Sequence, residues 1–276
     1  MLAFLEERFP HIQAVTWVSR MDRGLIVENN GQQIYPSSPY REGIRIYYYR
    51  ELEYEPRIPF IETILFEDEN LLVVDKPHFV PVVPSGRFLQ ESLLVRLRRS
   101  GKFPALTPLH RLDRETAGLV MFSLDPKTRG QYTRLFRERK IEKIYEALAP
   151  SSAQMSFPVT RRSRIVRAEL FFRMQETKGE PNAETRIELA TGSFDSKFAR
   201  YRLFPVTGKK HQLRLHLSAL GIPVLNDRLY PEYVRELNGV DDYSRPLKLL
   251  AKSIAFRDPI SGNERYFGSP RELNVR

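Results

Sequence analysis

His110-Arg111-Leu112-Asp113-Arg114-Glu115-Thr116-Ala117-Gly118-Leu119 places five ionisable side chains directly before an apolar run, Gly118-Leu119-Val120-Met121-Phe122. The run reads as a buried strand, and the polar stretch before it, Thr107 to Ala117, has no period. A core segment avoids charge, so the density of it here needs a reason. Asp113 has Arg111 two residues before it and Arg114 one after it. Two cations that close keep a carboxylate ionised, which suits a nucleophile or a base better than an acid. On charge pattern alone, a structural ion pair at the strand entry is the simpler explanation.

Working outward, strand patterns dominate. Ile64-Leu65-Phe66 and Leu71-Leu72-Val73-Val74 flank Asp68-Glu69-Asn70 as a hairpin, and Lys76-Pro77 ends its second strand. Pro81, Pro84 and Gly86 mark a loop, and Ser92 to Arg99 fits a helix. Asp125-Pro126 offers a carboxylate cap and a first-turn proline for a helix whose buried stripe is Tyr132, Leu135 and Phe136. Ile144 to Leu148 and Ala199 to Phe204 are further strands. Residues 209–220 fit a helix closed by Gly221, with Leu213, Leu217 and Leu220 on one face, while the alternation from Gln212 to Leu217 also fits a strand. Many strands with few intervening helices predict an α+β fold rather than a doubly wound parallel sheet.

Residues 1–55 read as a separate small unit: a helix from Leu2, a second within His11 to Asp22, a hairpin about Asn29-Asn30-Gly31 and a strand at Arg45 to Tyr49. Glu53 to Pro59, with Pro56 and Pro59, reads as a linker before a main domain over 60–276.

The 276 residues hold 44 Lys and Arg against 34 Asp and Glu, a net charge of +10. That balance, with a pI near 9.8, favours a polyanionic partner, nucleic acid above all. Basic clusters lie at Arg96 to Arg99, Arg134 to Lys143 and Arg161 to Arg167, with Tyr132, Phe136, Tyr145, Phe171 and Phe172 nearby. Aromatic rings can stack on unpaired bases. The absence of Cys removes disulfides, thiolate nucleophiles and Cys-based metal sites. Dinucleotide-binding, phosphate-loop and His-Glu-x-x-His motifs are missing, and the spacing of His211 and His216 does not suit two ligands on one helix face, so no metal and no cofactor are expected. With no export signal and no apolar span of about 18 residues, the expectation is a cytoplasmic protein with no membrane association. A second charged segment is Thr207-Gly208-Lys209-Lys210-His211-Gln212-Leu213-Arg214-Leu215-His216. If it is helical, His211 and Arg214 share a face that suits an anion, either an RNA phosphate or Asp113 itself.

Together these two segments resemble the signatures of the RluA family of pseudouridine synthases. The resemblance extends to Leu220-Gly221-Ile222-Pro223, Asp227-Arg228-Leu229-Tyr230, the hairpin ending Val73-Val74-Asp75-Lys76-Pro77, and the strand Lys143-Ile144-Tyr145-Glu146-Ala147, in the family's order over about residues 60–270. It implies a mainly antiparallel mixed-sheet catalytic domain that isomerises uridine to pseudouridine in structured RNA without a cofactor. It implies Asp113 as the acting carboxylate, Arg214 as its holder, Tyr145 beside the reacting base and Arg111 filling the space the flipped base leaves. Arg111, Arg114, Lys76, Lys143, Lys209, Lys210 and His211 are the expected RNA contacts. Residues 1–55 resemble an S4-type RNA-binding unit, which favours ribosomal over transfer RNA; a monomer is expected. The sequence departs from the family at Phe79 and Asn226, where glycine is usual, at Ala117 for a common serine and at Lys209 for arginine. Two rivals are a non-catalytic RNA-binding or assembly factor on the same scaffold, and a hydrolase pairing Asp113 with Glu115 or Asp227.

Overall fold

The computed structural model describes residues 1–49, 52, 54–190, 197–234 and 241–274. The chain divides into two compact units, Met1–Tyr54 and Glu55–Arg276. In the first, α1 (Leu2–Arg8) and α2 (Ala14–Asp22) precede two short antiparallel strands, β1 (Ile26–Glu28) and β2 (Ile46–Tyr48). Leu5, Trp17, Met21, Ile26 and Ile34 form its core. The hairpin expected about Asn30-Gly31 is present only as a bridge between Val27 and Gln33, because β1 takes its strand partner from β2.

The second unit is built on β3 (Thr63–Glu67), β4 (Leu71–Lys76), α3 (Leu93–Arg98), β5 (Thr107–Pro108), β6 (Ala117–Ser123), α4 (Arg129–Arg137), β7 (Glu142–Pro150), β8 (Val159–Arg167), β9 (Met174–Thr177), β10 (Ala183–Leu189), β11 (Phe198–Pro205), α5 (Gln212–Ala219), β12 (Leu249–Arg257) and β13 (Glu264–Gly268). One mixed sheet runs β3-β4-β6-β12-β7-β11-β10-β8-β9, with β13 beside β12 and β5 beside β6. Among the described residues, only β6 and β12 pair in parallel, at Leu250 opposite Ala117 and Ala251 opposite Gly118. The expected α+β class and largely antiparallel sheet are what the chain forms.

Gly118 explains how the charged segment enters this sheet. Its φ is +108°, and a Cβ there would lie 2.3 Å from the Ala251 carbonyl oxygen. Only glycine permits both the conformation and the approach. The charged loop can therefore end flush against the middle of the sheet, at the start of β6.

Three local expectations need correction. Residues 55–59 are not a loose linker: Glu55 accepts bonds from the backbone of Leu89, Gln90 and Glu91, and Ile58 is buried beside Leu72 and Leu93. The proline-containing stretch is a strap packed on the second unit. The helix expected from Asp125 begins at Arg129, because Asp125 closes a turn by accepting from Lys127 N at 2.8 Å. The ambiguous 212–217 segment is helical, and every residue from Gln212 to Leu217 is buried. A helix enclosed on all sides has no apolar stripe to reveal its period.

Phe79 and Asn226 adopt φ of +69° and +63°. These are the left-handed conformations that glycine adopts freely. Phe79 is held there by its ring, which stacks on Phe60 at 5.9 Å and meets Tyr243 edge-on at 5.1 Å. Asn226 donates to the Pro246 carbonyl at 3.0 Å.

Candidate active site

A cleft of about 1320 Å³ opens on one side of the second unit, and Asp113, Arg111, Lys143, Tyr145 and Arg214 all line it. Asp113 sits in the turn just before β6, where its carbonyl accepts from Thr116 N at 3.1 Å. Its side chain is 22% exposed, so the carboxylate is open to the cleft.

Arg214 comes from α5, on the opposite wall. Its side chain is 2% exposed. Nε and Nη2 donate to the two carboxylate oxygens of Asp227 at 2.7 and 2.6 Å, and Nη1 reaches Asp113 Oδ2 at 3.4 Å. Asp227 is itself fixed by the backbone N–H groups of Leu229 and Tyr230. Burial opposes charge on Arg214, but the bond to Asp227 and the nearby carboxylates outweigh it and raise its pKa. The guanidinium is a permanent cation with two nitrogens clamped and one aimed at Asp113.

His211 adopts φ +56° just ahead of α5. Its Nε2 lies 3.8 Å from Asp113 Oδ1, and its Nδ1 is 2.8 Å from the Tyr230 hydroxyl. Burial is the main cause of its lowered pKa. The turn before it is held by Gln212, whose Oε1 accepts from Lys209 N and the Thr207 hydroxyl. Tyr145, on β7, has its pKa pushed up, first by burial and then by the Asp113 charge, and so presents a neutral phenol.

The charged segment itself is fastened from beneath. Lys76 is 0% exposed, and its Nζ donates to the carbonyls of Pro77, Val80 and Arg114. His78 Nδ1 donates to the Glu115 carbonyl at 2.6 Å. His110 Nε2 accepts from Met121 N at 3.1 Å, tying the loop to β6. Burial drives the pKa of His78 down to about 4 and that of His110 down to about 3, so both are neutral.

These contacts correct several expectations. Lys76 cannot meet RNA, because it is sealed beneath the loop. Arg114 does not pair with Asp113; it grips both oxygens of Asp241 at 2.8 Å and also bonds Glu115. The cation that faces Asp113, Arg214, comes from 101 residues further along the chain rather than from its sequence neighbours. His211 serves the carboxylate more directly than it serves the surface. Arg111, Lys209 and Lys210 are exposed on the cleft wall, and Lys143 is half-buried there. Sequence reasoning missed Asp241, His78 and the clamping part of Asp227. The last had a visible signal, since the Asp227-x-x-Tyr230 pattern stands out in the sequence.

The hydrolase alternative fares poorly. A second carboxylate acting as an acid needs a raised pKa. Burial alone would raise that of Glu115, but Arg114 and Arg214 overcome it and hold it below the ordinary range. Asp227 is committed to Arg214. Among the described residues, no three His, Cys, Asp or Glu side chains gather as a metal would require.

Residues 70–219 match a family model described as RNA pseudouridylate synthase. The chain belongs to this pseudouridine synthase family. It is 31% identical over 233 residues to an uncharacterized RNA pseudouridine synthase of Synechocystis, covering 83% of this chain and 79% of that protein. It is 32% identical to the dual-specificity RNA pseudouridine synthase RluA of Escherichia coli, covering 79% of this chain and 96% of the relative. The solved structure of human RNA pseudouridylate synthase domain containing 1 aligns with a TM-score of 0.62 at 27% identity, over 79% of this chain and 86% of that one. This pseudouridine synthase is therefore an isomerase. None of its helices among the described residues is long and apolar enough to cross a membrane.

Proposed function

We propose that this synthase isomerises a uridine of structured RNA in the Asp113 cleft, with Asp113, Arg214 and Tyr145 as its working groups. In the reaction the N1–C1′ bond breaks, the uracil turns over, C5 bonds to C1′ and gives up its proton, and N1 takes up a proton in its place. No atom is gained or lost, so the chain's own residues are all it requires. The observation that carries the assignment is the meeting of Asp113 with the clamped Arg214 at 3.4 Å in a cleft wide enough for a nucleotide. A fixed cation beside the carboxylate stabilises its charge without reorganising during the reaction. Asp113 acts either on C1′ or as a base on the ribose. The neutral Tyr145 phenol sits against the uracil and is suited to proton exchange at C5.

A stacked base cannot reach the bottom of the cleft, so the uridine leaves its helix, at a cost of about a few kcal/mol. Arg111, exposed on the cleft wall, would fill the space left behind. Phosphate contacts offset that cost. The charge for them belongs to one unit only. Residues 1–54 hold six basic and seven acidic residues, a net −1, which leaves +11 on residues 55–276. RNA is held chiefly by the catalytic unit, with Lys209, Lys210 and Lys143 among its contacts, and an S4-like part for residues 1–54 lacks that electrostatic support. The work belongs in the cytoplasm, on ribosomal or transfer RNA. Incubating each RNA with the protein and mapping pseudouridine tests the activity and chooses between the substrates; no isomer in either would overturn it.

A further inference from the structure

The turn joining β8 to β9 carries an apolar feature that chemistry at Asp113 does not use. It presents Leu170 and Phe171 to solvent, and Phe171 is 77% exposed. Phe171 meets Phe172 edge-on with centroids 5.3 Å apart, and Phe172 packs on Tyr233 at 5.1 Å. Phe172 and Tyr233 line the cleft wall. Three rings in contact thus run from the inside of the cleft out over its rim. A lone exposed ring needs no explanation, but a contiguous aromatic patch at the mouth of a binding cleft does.

The row is fixed in place. Arg173 N donates to the Leu170 carbonyl at 2.8 Å, closing the turn. Lys210 Nζ donates to the Phe172 carbonyl at 3.0 Å, and Arg173 Nη2 to that of Pro231 at 2.9 Å. Lys210 immediately precedes His211, whose ring faces Asp113. The rings are therefore indexed to the reacting centre through a short, bonded path. Arg167, Lys210 and Arg228 line the same cleft. Aromatic faces set among cations match a single-stranded nucleic acid, which brings flat bases and phosphates together. An apolar protein surface would gain nothing from that charge.

We propose that Phe171, Phe172 and Tyr233 form a stacking ledge for the unpaired bases next to the target uridine. The proposal rests on the reading that a uridine enters this cleft. When that uridine swings out, its neighbours lose a stacking partner and the ledge supplies another. Every base has a π-face, so the ledge selects for unpaired neighbours and not for their identity.

The test is the affinity of the full chain for a stem–loop RNA whose loop holds a single uridine, measured over a range of salt. Phe171→Ala and Phe171→Leu are expected to weaken binding about tenfold, and Phe171→Tyr to retain it. The slope of affinity against salt stays unchanged, because no phosphate contact is lost. Abasic nucleotides beside the uridine should weaken wild-type binding to the level of Phe171→Ala and cause no further loss in that variant. Wild-type affinity in Phe171→Ala would overturn the ledge while leaving the catalytic reading intact. Full affinity in Phe171→Leu would also overturn it, pointing to a general apolar docking surface. If the wild-type chain bound no RNA, both readings would fall. If Asp113→Asn kept its turnover while Phe171→Ala bound weakly, only the catalytic reading would fall.

Discussion

Arg214 and Asp113, 101 positions apart in the sequence, meet at 3.4 Å, while Asp227 holds the other side of the same guanidinium. The fork geometry matters, because one side chain satisfies two carboxylates at once. Lysine offers a single ammonium and cannot span them. Arg214→Lys is expected to lower kcat by about 100-fold or more, with a smaller change in KM. Arg214→Met leaves Asp227 buried without its partner and should cost about 3–5 kcal/mol of stability, read by denaturant unfolding. Equal turnover in Arg214→Lys would show that the fork is unnecessary.

Three histidines with strongly lowered pKa values, His78, His110 and His216, predict a loss of stability in acid. His110 is held at about 3, and His78 and His216 at about 4, by burial. Unfolded, each titrates near 6.5. Above 6.5 neither state takes a proton, and the stability due to their burial is complete. Between 6.5 and about 4 the unfolded chain binds protons that the folded chain refuses, so stability falls as pH falls. Denaturant unfolding across this window should show proton uptake on unfolding, reduced by about one proton in His110→Gln. An unaltered slope in that variant would contradict the assignment.

Phe79 pits backbone strain against packing. Its left-handed φ costs about 1–2 kcal/mol, which glycine would recover. Loss of a buried phenyl ring costs about 3–5 kcal/mol. Phe79→Gly is therefore expected to be destabilised by about 2 kcal/mol, although glycine suits the backbone. Asn226→Gly, with far less side chain to lose, should change stability by less than about 1 kcal/mol. Thermal unfolding of both variants checks the contrast, and a stabilised Phe79→Gly would contradict it.

RNA affinity should fall steeply with salt, and exposed and buried cations should differ in their effect on it. Lys209→Gln and Arg111→Gln are each expected to reduce the slope of log affinity against log salt by about one. Lys76→Met should leave the slope alone and lower stability instead, because its ammonium serves three carbonyls inside the protein. A slope that changes with Lys76 and not with Lys209 would reverse the assignments.

The positions of strands along the chain were legible because local patterns carry them, whereas Asp113, Tyr145 and Arg214 were singled out by the family resemblance and not by charge or periodicity. The hairpin at Asp68–Asn70 and the run Gly118–Phe122 state their own conformation. The charge partners of the site were not legible. Arg114 sits next to Asp113 in the sequence, yet it turns to Asp241, which is 127 residues away. Lys76 looks like a surface cation, but the sheet encloses it. Neither partnership leaves a periodic trace, since each depends on which loops the sheet brings together. The helix at Gln212–Ala219 was ambiguous for a related reason: Leu213 and Leu217 face one core cluster, Leu215 another, and Arg214 the cleft, so no face is left polar.

Asp113→Asn is the substitution that separates chemistry from scaffold. It keeps the size of the side chain and removes the charge that Arg214 and His211 face. With RNA tritiated at C5 of uridine, the wild-type enzyme should release tritium to water as pseudouridine forms. Asp113→Asn is expected to release none above background while folding and binding RNA as the wild type does. Tritium release near the wild-type rate in that variant would contradict it.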